Sequence, residues 1–303
     1  MRTKRLLTIS IALILSLSTS LIFAGPKQLL RLNLQQGEAY TMAMRMENNI
    51  QQSVMGQQNE MKQVMDMTMV MKVDELTDDG NFIVSYNYSS FKMDMDAMGQ
   101  SMSYDSESPD DSSPFHSVFK GITDARFQME LTPTGKIVDV EGIEEYLNTL
   151  TGGDQQVKNI LPMFTDDKAF KQTMESNFSY LPEEAVSKGD KWNNVISVPA
   201  LMNMNMELEY ELIDVEGKQA EIKLDAVLDM NQDIDQQGMT MNMTTKGTQQ
   251  GTILVNTDDG MARENTMVQD LDMLMKMTNP QTGDPMEMPM KIVSEVSYKV
   301  TKK

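Results

Sequence analysis

Thirty-two methionines, one histidine and no cysteine set the chemistry open to this 303-residue chain. Thioether sulfur is a soft donor that selects Cu(I) and Ag(I), and it also sits in a flexible apolar side chain that fills irregular space. Spacing is what connects either use to structure. In Met65-Asp-Met-Thr-Met-Val-Met71 the methionines fall at every second residue, with Asp66 and Thr68 between them. A β-strand sends alternate side chains to opposite faces, so Met65, Met67, Met69 and Met71 share one side, neighbours about 7 Å apart. The same spacing recurs at Met42, Met44 and Met46, at Met93 and Met95, and at Met202, Met204 and Met206. It returns at Met239, Met241 and Met243, at Met273, Met275 and Met277, and at Met286, Met288 and Met290.

Strand propensity favours Val, Ile and aromatics, so repeated Met in strands gives up packing specificity for an adaptable surface. Such a surface suits an interior that accepts varied apolar ligands. The candidate lining residues are Met65, Met67, Met69, Met71, Met202, Met204, Met206, Met241, Met243 and Met275. Plain core filling is the bland reading of the same pattern. A Cu(I) or Ag(I) site built from two Met on one strand and a third from its neighbour is the sharper rival. Against it, the methionines run through every strand instead of clustering in a loop, and His116 alone could add an imidazole.

Other chemistries find little material. One histidine and no cysteine exclude a His/Cys zinc site and give no support to a Ser-His-Asp triad or a Cys-His pair. His116 lies beside Phe115 and Phe119 and reads as the solvated side of a short helix. Nothing singles out two of the 45 acids as a catalytic pair. Asp78-Asp79-Gly80 and Asp258-Asp259-Gly260 lack the ligand spacing of a calcium loop and read as tight turns. Trp192, the single tryptophan, opens a strand as a core anchor. No catalytic residue, cofactor or metal-ligand set is expected, and the chain does not read as an enzyme.

The elements that would position the methionines follow from the pattern. Arg2, Lys4 and Arg5 precede the apolar run Leu6 to Phe23, which ends at Ala24 before Gly25-Pro26. Residues 1–24 read as a secretory signal peptide, which places the protein in the periplasm or outside the cell; an uncleaved N-terminal anchor is the lesser reading of the run. Losing three cations and no acid takes the net charge from −19 to −22. Such a surface repels nucleic acid. With no cysteine there is no disulfide-linked partner, and the core alone must hold the fold.

Residues 25–140 read as a first β unit, 141–178 as a helical insert or lid, and 179–303 as a second β unit. Three landmarks recur in the same order. Gly37-Glu-Ala-Tyr40 matches Gly189-Asp-Lys-Trp192, a turn at Gly80 matches one at Gly217, and a hairpin at Gly135 matches one at Gly260. The expected class is therefore mainly β: curved antiparallel sheets, half-barrel-like, with two related copies as one reading and a short helical insert between them. Helices are expected at 114–121 and from Ile143 through Phe178, as a lid.

The Gly-Glu-Ala-Tyr start, the Met-x-Met strands, Leu131-Thr-Pro-Thr-Gly-Lys136 and Lys188-Gly-Asp-Lys-Trp192 resemble a family of secreted, Met-rich bacterial β-proteins of unknown function. At fold level the pattern resembles the lipoprotein carriers, whose curved half-barrels shelter acyl chains under helices. That resemblance implies a non-catalytic envelope protein that binds or carries a lipid or acyl chain. A Cu(I)/Ag(I) handler and a structural envelope protein without a small ligand are the alternatives.

Overall fold

The computed structural model describes residues 26–54, 57–97, 99–110, 116–119, 121–124, 126–146, 167–198, 204–236, 239–278 and 285–303. The expected signal peptide and most of the expected helical insert lie outside these. Twelve strands form: β1 (Ala39–Val54), β2 (Gln57–Leu76), β3 (Phe82–Ala97), β4 (Gln100–Asp105), β5 (Arg126–Leu131), β6 (Ile137–Glu141), β7 (Lys191–Val198), β8 (Met204–Glu216), β9 (Gln219–Gln236), β10 (Met239–Asn256), β11 (Ala262–Thr278) and β12 (Pro285–Lys302). Among the described residues, helices α1 (His116–Phe119) and α2 (Asp167–Ser176) accompany them, and residues 143–146 are also helical. Period-two alternation decides this outcome: in β1 the even positions from Tyr40 to Met46 turn inward while Ala43, Arg45 and Glu47 are exposed.

All twelve strands join one antiparallel sheet, in the order β6-β5-β3-β2-β1-β12-β11-β10-β9-β8-β7, with β4 paired to β3. The sheet is open, and it curls strongly. Tyr86 on β3 and Tyr298 on β12 line one small cavity, although two strands separate them in the sheet. Helix α2 touches both β6 and β7, the two ends of the order, and so fills the gap that a closed barrel would lack.

The sheet has a packed base. There Tyr40, Val73, Val84, Leu131, Leu212 and Ile222 are buried. Residues 28–34 cross this end and insert Leu30, Leu32 and Leu34, while Arg31 bonds outward to the carbonyls of Pro182 and Glu183. Leu32 N–H donates to Pro133 O at 2.9 Å and Asn33 N–H to Asp259 O at 3.0 Å, so the segment ties together the turns of both halves. Gln28 pairs with Val186 in an isolated antiparallel bridge. At the other end, the rim, lie the C-terminal ends of β1, β9 and β11 and the N-terminal ends of β2, β10 and β12.

The repeated landmarks at Gly37 and Gly189 form matching local structures. Gly37 N–H donates to Val73 O at 2.8 Å, and Gly189 N–H to Leu212 O at 2.7 Å. Glu38 accepts from Gln35 N–H at 3.1 Å just as Asp190 accepts from Ser187 N–H at 2.7 Å. The paired strands then bulge at matching places, after Val73 and after Leu212. In the sheet the run β6-β5-β3-β2-β1 is followed, across β12, by β11-β10-β9-β8-β7. The strands from residues 25–140 and those from 179–303 thus join one sheet, meeting where β1 pairs with β12.

Of the expected helices, α1 occupies the middle of 114–121, residues 143–146 are helical, and α2 carries Phe170 and Met174. His116 differs from expectation. It is half-buried, with its ring 6.4 Å from that of Tyr104, because the helix lies against β4. Trp192 stacks on Tyr210 at 5.7 Å, in the anchoring position its place in the chain suggested.

Candidate functional site

Registry places the methionines of neighbouring strands directly opposite each other. Met42, Met44 and Met46 on β1 face Met69, Met67 and Met65 on β2, and Met65 faces Met93 on β3. A second group gathers at the rim. Met243 on β10 stands beside Met275 on β11, which stands beside Met288 on β12, and Met277 pairs with Met286. Of the predicted lining residues, Met71, Met206, Met241 and Met243 are buried. Met65, Met67, Met69 and Met275 are half-buried on the inner face. Met202 lies outside the described residues, and Met204 is placed only as backbone, opposite Val198.

The predicted residues therefore form two groups. The β2 methionines line the half of the inner face nearer the base, and Met241, Met243 and Met275 line the rim half across β12 and β1. At the base the interior is filled. Met174, Phe178 and Tyr180 close it against Met42, Met69, Tyr86 and Tyr298, leaving a cavity of about 20 Å³, space for a water molecule. Phe170 seals the gap edge-on to Phe127 at 4.8 Å, and Phe127 stacks on Tyr86 at 5.3 Å. The segment expected to act as a lid is, in its described part, a plug in the core.

Tyrosines are the residues that sequence reasoning missed. Tyr86 donates its hydroxyl to Met71 Sδ at 2.8 Å, and Tyr298 donates to Met42 Sδ at 2.9 Å. Burial pushes both phenols well above the ordinary tyrosine range, so they stay neutral donors. The signal available was their inward parity, shared with the methionines. At the base, burial opposes ionisation of Glu38, but hydrogen bonds from Lys302, Tyr40 and the Gln35 N–H outweigh it and hold the carboxyl below its usual range. Tyr40 also reaches Asp259, which pairs with Arg263. Asp258 pairs with Lys218. These carboxylates are engaged by the fold, which accords with the reading of that stretch as a turn.

Other depressions lie elsewhere. A cleft of about 480 Å³ runs along the seam between the Thr134–Lys136 turn, α2 and β7. Grooves of about 810 and 650 Å³ are lined mainly by outward residues such as Lys246, Asp272 and Lys291, or Arg45, Lys223 and Glu295. Neither follows the methionine rows. Among the described residues, no three His, Cys, Asp or Glu side chains are grouped to hold a metal ion, and no helix is long and apolar enough to cross a membrane.

Fold and site together define an open, curled antiparallel sheet with a methionine-lined inner face and a plugged base. The chain belongs to a family described as a family of unknown function (DUF6263), which matches residues 79–262, more than half of its length. Among solved structures it is similar to one described as lipid-protein interactions in lipovitellin, at TM-score 0.49 and 9% identity, over 89% of this chain and 26% of that one. The chain thus spans about a quarter of that structure's length. An outer membrane channel from Pseudomonas putida F1 gives TM-score 0.18 at 8% identity, over 89% of this chain and 97% of the channel. No curated protein matches the chain, so its own residues carry the functional reading.

Proposed function

We propose that this is an exported, non-catalytic protein that binds or carries a hydrophobic molecule, a lipid or an acyl chain, on its methionine-lined inner face. One observation carries the reading. Inward methionines continue in register beyond the packed base, and Met44, Met46, Met275, Met277, Met286 and Met288 remain only half-buried there. A core meant only to be packed would bury them. Covering such a surface releases about 25 cal/mol per Å² before the costs of association, and unbranched thioether side chains adjust to the occupant. Export rests on residues 1–24, whose basic start, apolar run and Ala24 fit a cleaved leader.

A second reading has its own support. Met243, Met275 and Met288 occupy one row across three adjacent strands, a disposition that a soft cation would favour. Substitution separates the two. Met→Leu at these positions keeps volume and removes sulfur, so lipid binding should persist and Cu(I) binding should be lost. Met→Asp should abolish lipid binding.

The direct test is native mass spectrometry of the protein recovered from its own cell envelope without detergent. Excess mass matching a lipid is the expected result. A copper-sized increment lost on chelation would overturn it, and a bare polypeptide that also fails to take up added lipid would favour a structural role. The same spectrum reports whether residues 1–24 are removed.

A further inference from the structure

Across the middle of the inner face runs a row that is polar on five neighbouring strands, while Asn265 and Gln232 are polar positions of other rows. Gln63 on β2 stands opposite Asn48 on β1, Asn48 opposite Ser294 on β12, Ser294 opposite Gln269 on β11, and Gln269 opposite Gln249 on β10. Five neighbouring strands at about 4.8 Å spacing make the row about 19 Å long. Gln249 and Ser294 are only 5% and 7% exposed. Asn48 Nδ2 donates to Gln63 Oε1 at 3.1 Å, and Gln269 Nε2 donates to Gln249 Oε1 at 3.2 Å. Gln63 Nε2 also donates to Met93 Sδ at 3.4 Å, and each bond uses one N–H or one lone pair out of two of each on every side-chain amide.

Apolar rows flank this one on both sides: Met65, Met46 and Val296 toward the base, Met61, Ile50 and Ile292 toward the rim. Among the described residues, no inward position in these rows carries a charge, whereas the same strands place Arg45, Glu47, Lys62 and Asp66 outward. The pattern selects among hydrophobic ligands. A carboxylate or phosphate laid against it would be desolvated without a counter-charge, which is costly. A plain hydrocarbon would cover the half-buried amides of Gln63, Asn48 and Gln269 without satisfying them. A ligand with one uncharged hydrogen-bonding linkage between two apolar stretches meets both conditions.

We infer that the inner face takes an uncharged ester- or amide-linked lipid, its linkage seated on the row from Gln63 to Gln249 and an apolar chain on either side. This rests on the hydrophobic-ligand reading above and narrows it to a chemical class.

The test compares three probes of matched chain length on the full chain: a wax ester, oleate and a straight-chain alkane, by equilibrium dialysis with native mass spectrometry. The wax ester should bind about tenfold tighter than either of the others. Gln249→Leu combined with Gln269→Leu removes both partners of one amide pair; alkane binding should survive and ester binding should fall to the alkane level. Ser294→Ala, which deletes one hydroxyl at the centre of the row, should lower the ester preference by a smaller factor, and it serves if the double variant does not fold. Equal affinity for ester and alkane, tighter binding of oleate, or an ester preference untouched by these changes would overturn the assignment while leaving hydrophobic binding intact. Failure of all three probes to bind would overturn the hydrophobic-ligand reading itself.

Discussion

Single residues at the base do two jobs, filling space and closing polar valences. Tyr180 shows both. Its ring is buried, its hydroxyl donates to Gly260 O at 2.9 Å, and it accepts from Ala262 N–H at 3.1 Å. Tyr180→Phe keeps the ring and strands a buried carbonyl and a buried N–H, which should cost about 2–3 kcal/mol in urea unfolding. Met71, with no exposed surface, is a useful contrast, because its sulfur only accepts from Tyr86. Met275, Met277, Met286 and Met288 nearer the rim are half-buried and differ from it in exposure and not in type. Residue identity alone therefore does not separate core methionine from surface methionine.

At the scale of elements, the telling feature is how the base is tied. The 28–34 segment passes so close to the turn at Gly260 that a Cβ there would fall on the Arg31 carbonyl oxygen, in a backbone conformation with φ +72°. Gly80 has φ +81° with nothing nearby. Gly80→Ala should cost about 1 kcal/mol, the backbone contribution alone, while Gly260→Ala should cost about 3 kcal/mol because the segment must also move. Denaturant unfolding of the two variants would measure the difference, and equal losses would mean that the segment adds little. Helix α2 does the corresponding work at the sheet's seam, where Phe170 packs among Phe127 and Tyr146.

For the whole molecule, charge is sorted by face. The acids and bases stand outward in cross-strand pairs, such as Lys291 with Asp270 at 2.9 Å and Lys191 with Glu209 at 2.7 Å, and exposed pairs of this kind stabilise little. Inside, apart from Asp259, which is buried at the base beside Arg263, the ionisable groups are mainly phenols. Burial raises Tyr86, Tyr146, Tyr180 and Tyr298, and it carries Tyr210 up to about 12 against an opposing hydrogen bond with Ser179. In the unfolded chain these groups ionise near pH 10. The stability they contribute is complete below that pH and lost as pH rises from 10 through the folded values. Alkaline titration should therefore show phenolate absorbance rising in one cooperative step together with the loss of β-sheet circular dichroism. Separate, non-cooperative ionisation before unfolding would contradict the burial of these rings.

Much of this was legible in the chain itself. The period of two in Met65 to Met71 dictates a strand and a shared face, because backbone geometry alone sets that alternation. The paired landmarks at Gly37 and Gly189 marked two strand entries of like local structure, and the lack of cysteine with a single histidine removed whole classes of chemistry. Tertiary structure decided which strands became neighbours. No local rule brings β12 between β1 and β11, and without that adjacency Asn48 and Ser294, 246 residues apart in number, would not share a row with Gln269. The plug at the seam and the contrast between buried and half-buried methionines were likewise settled by the curl of the sheet. Alternation is a property of each strand, whereas pairing order and burial depend on how all twelve strands and their crossing segments share one interior.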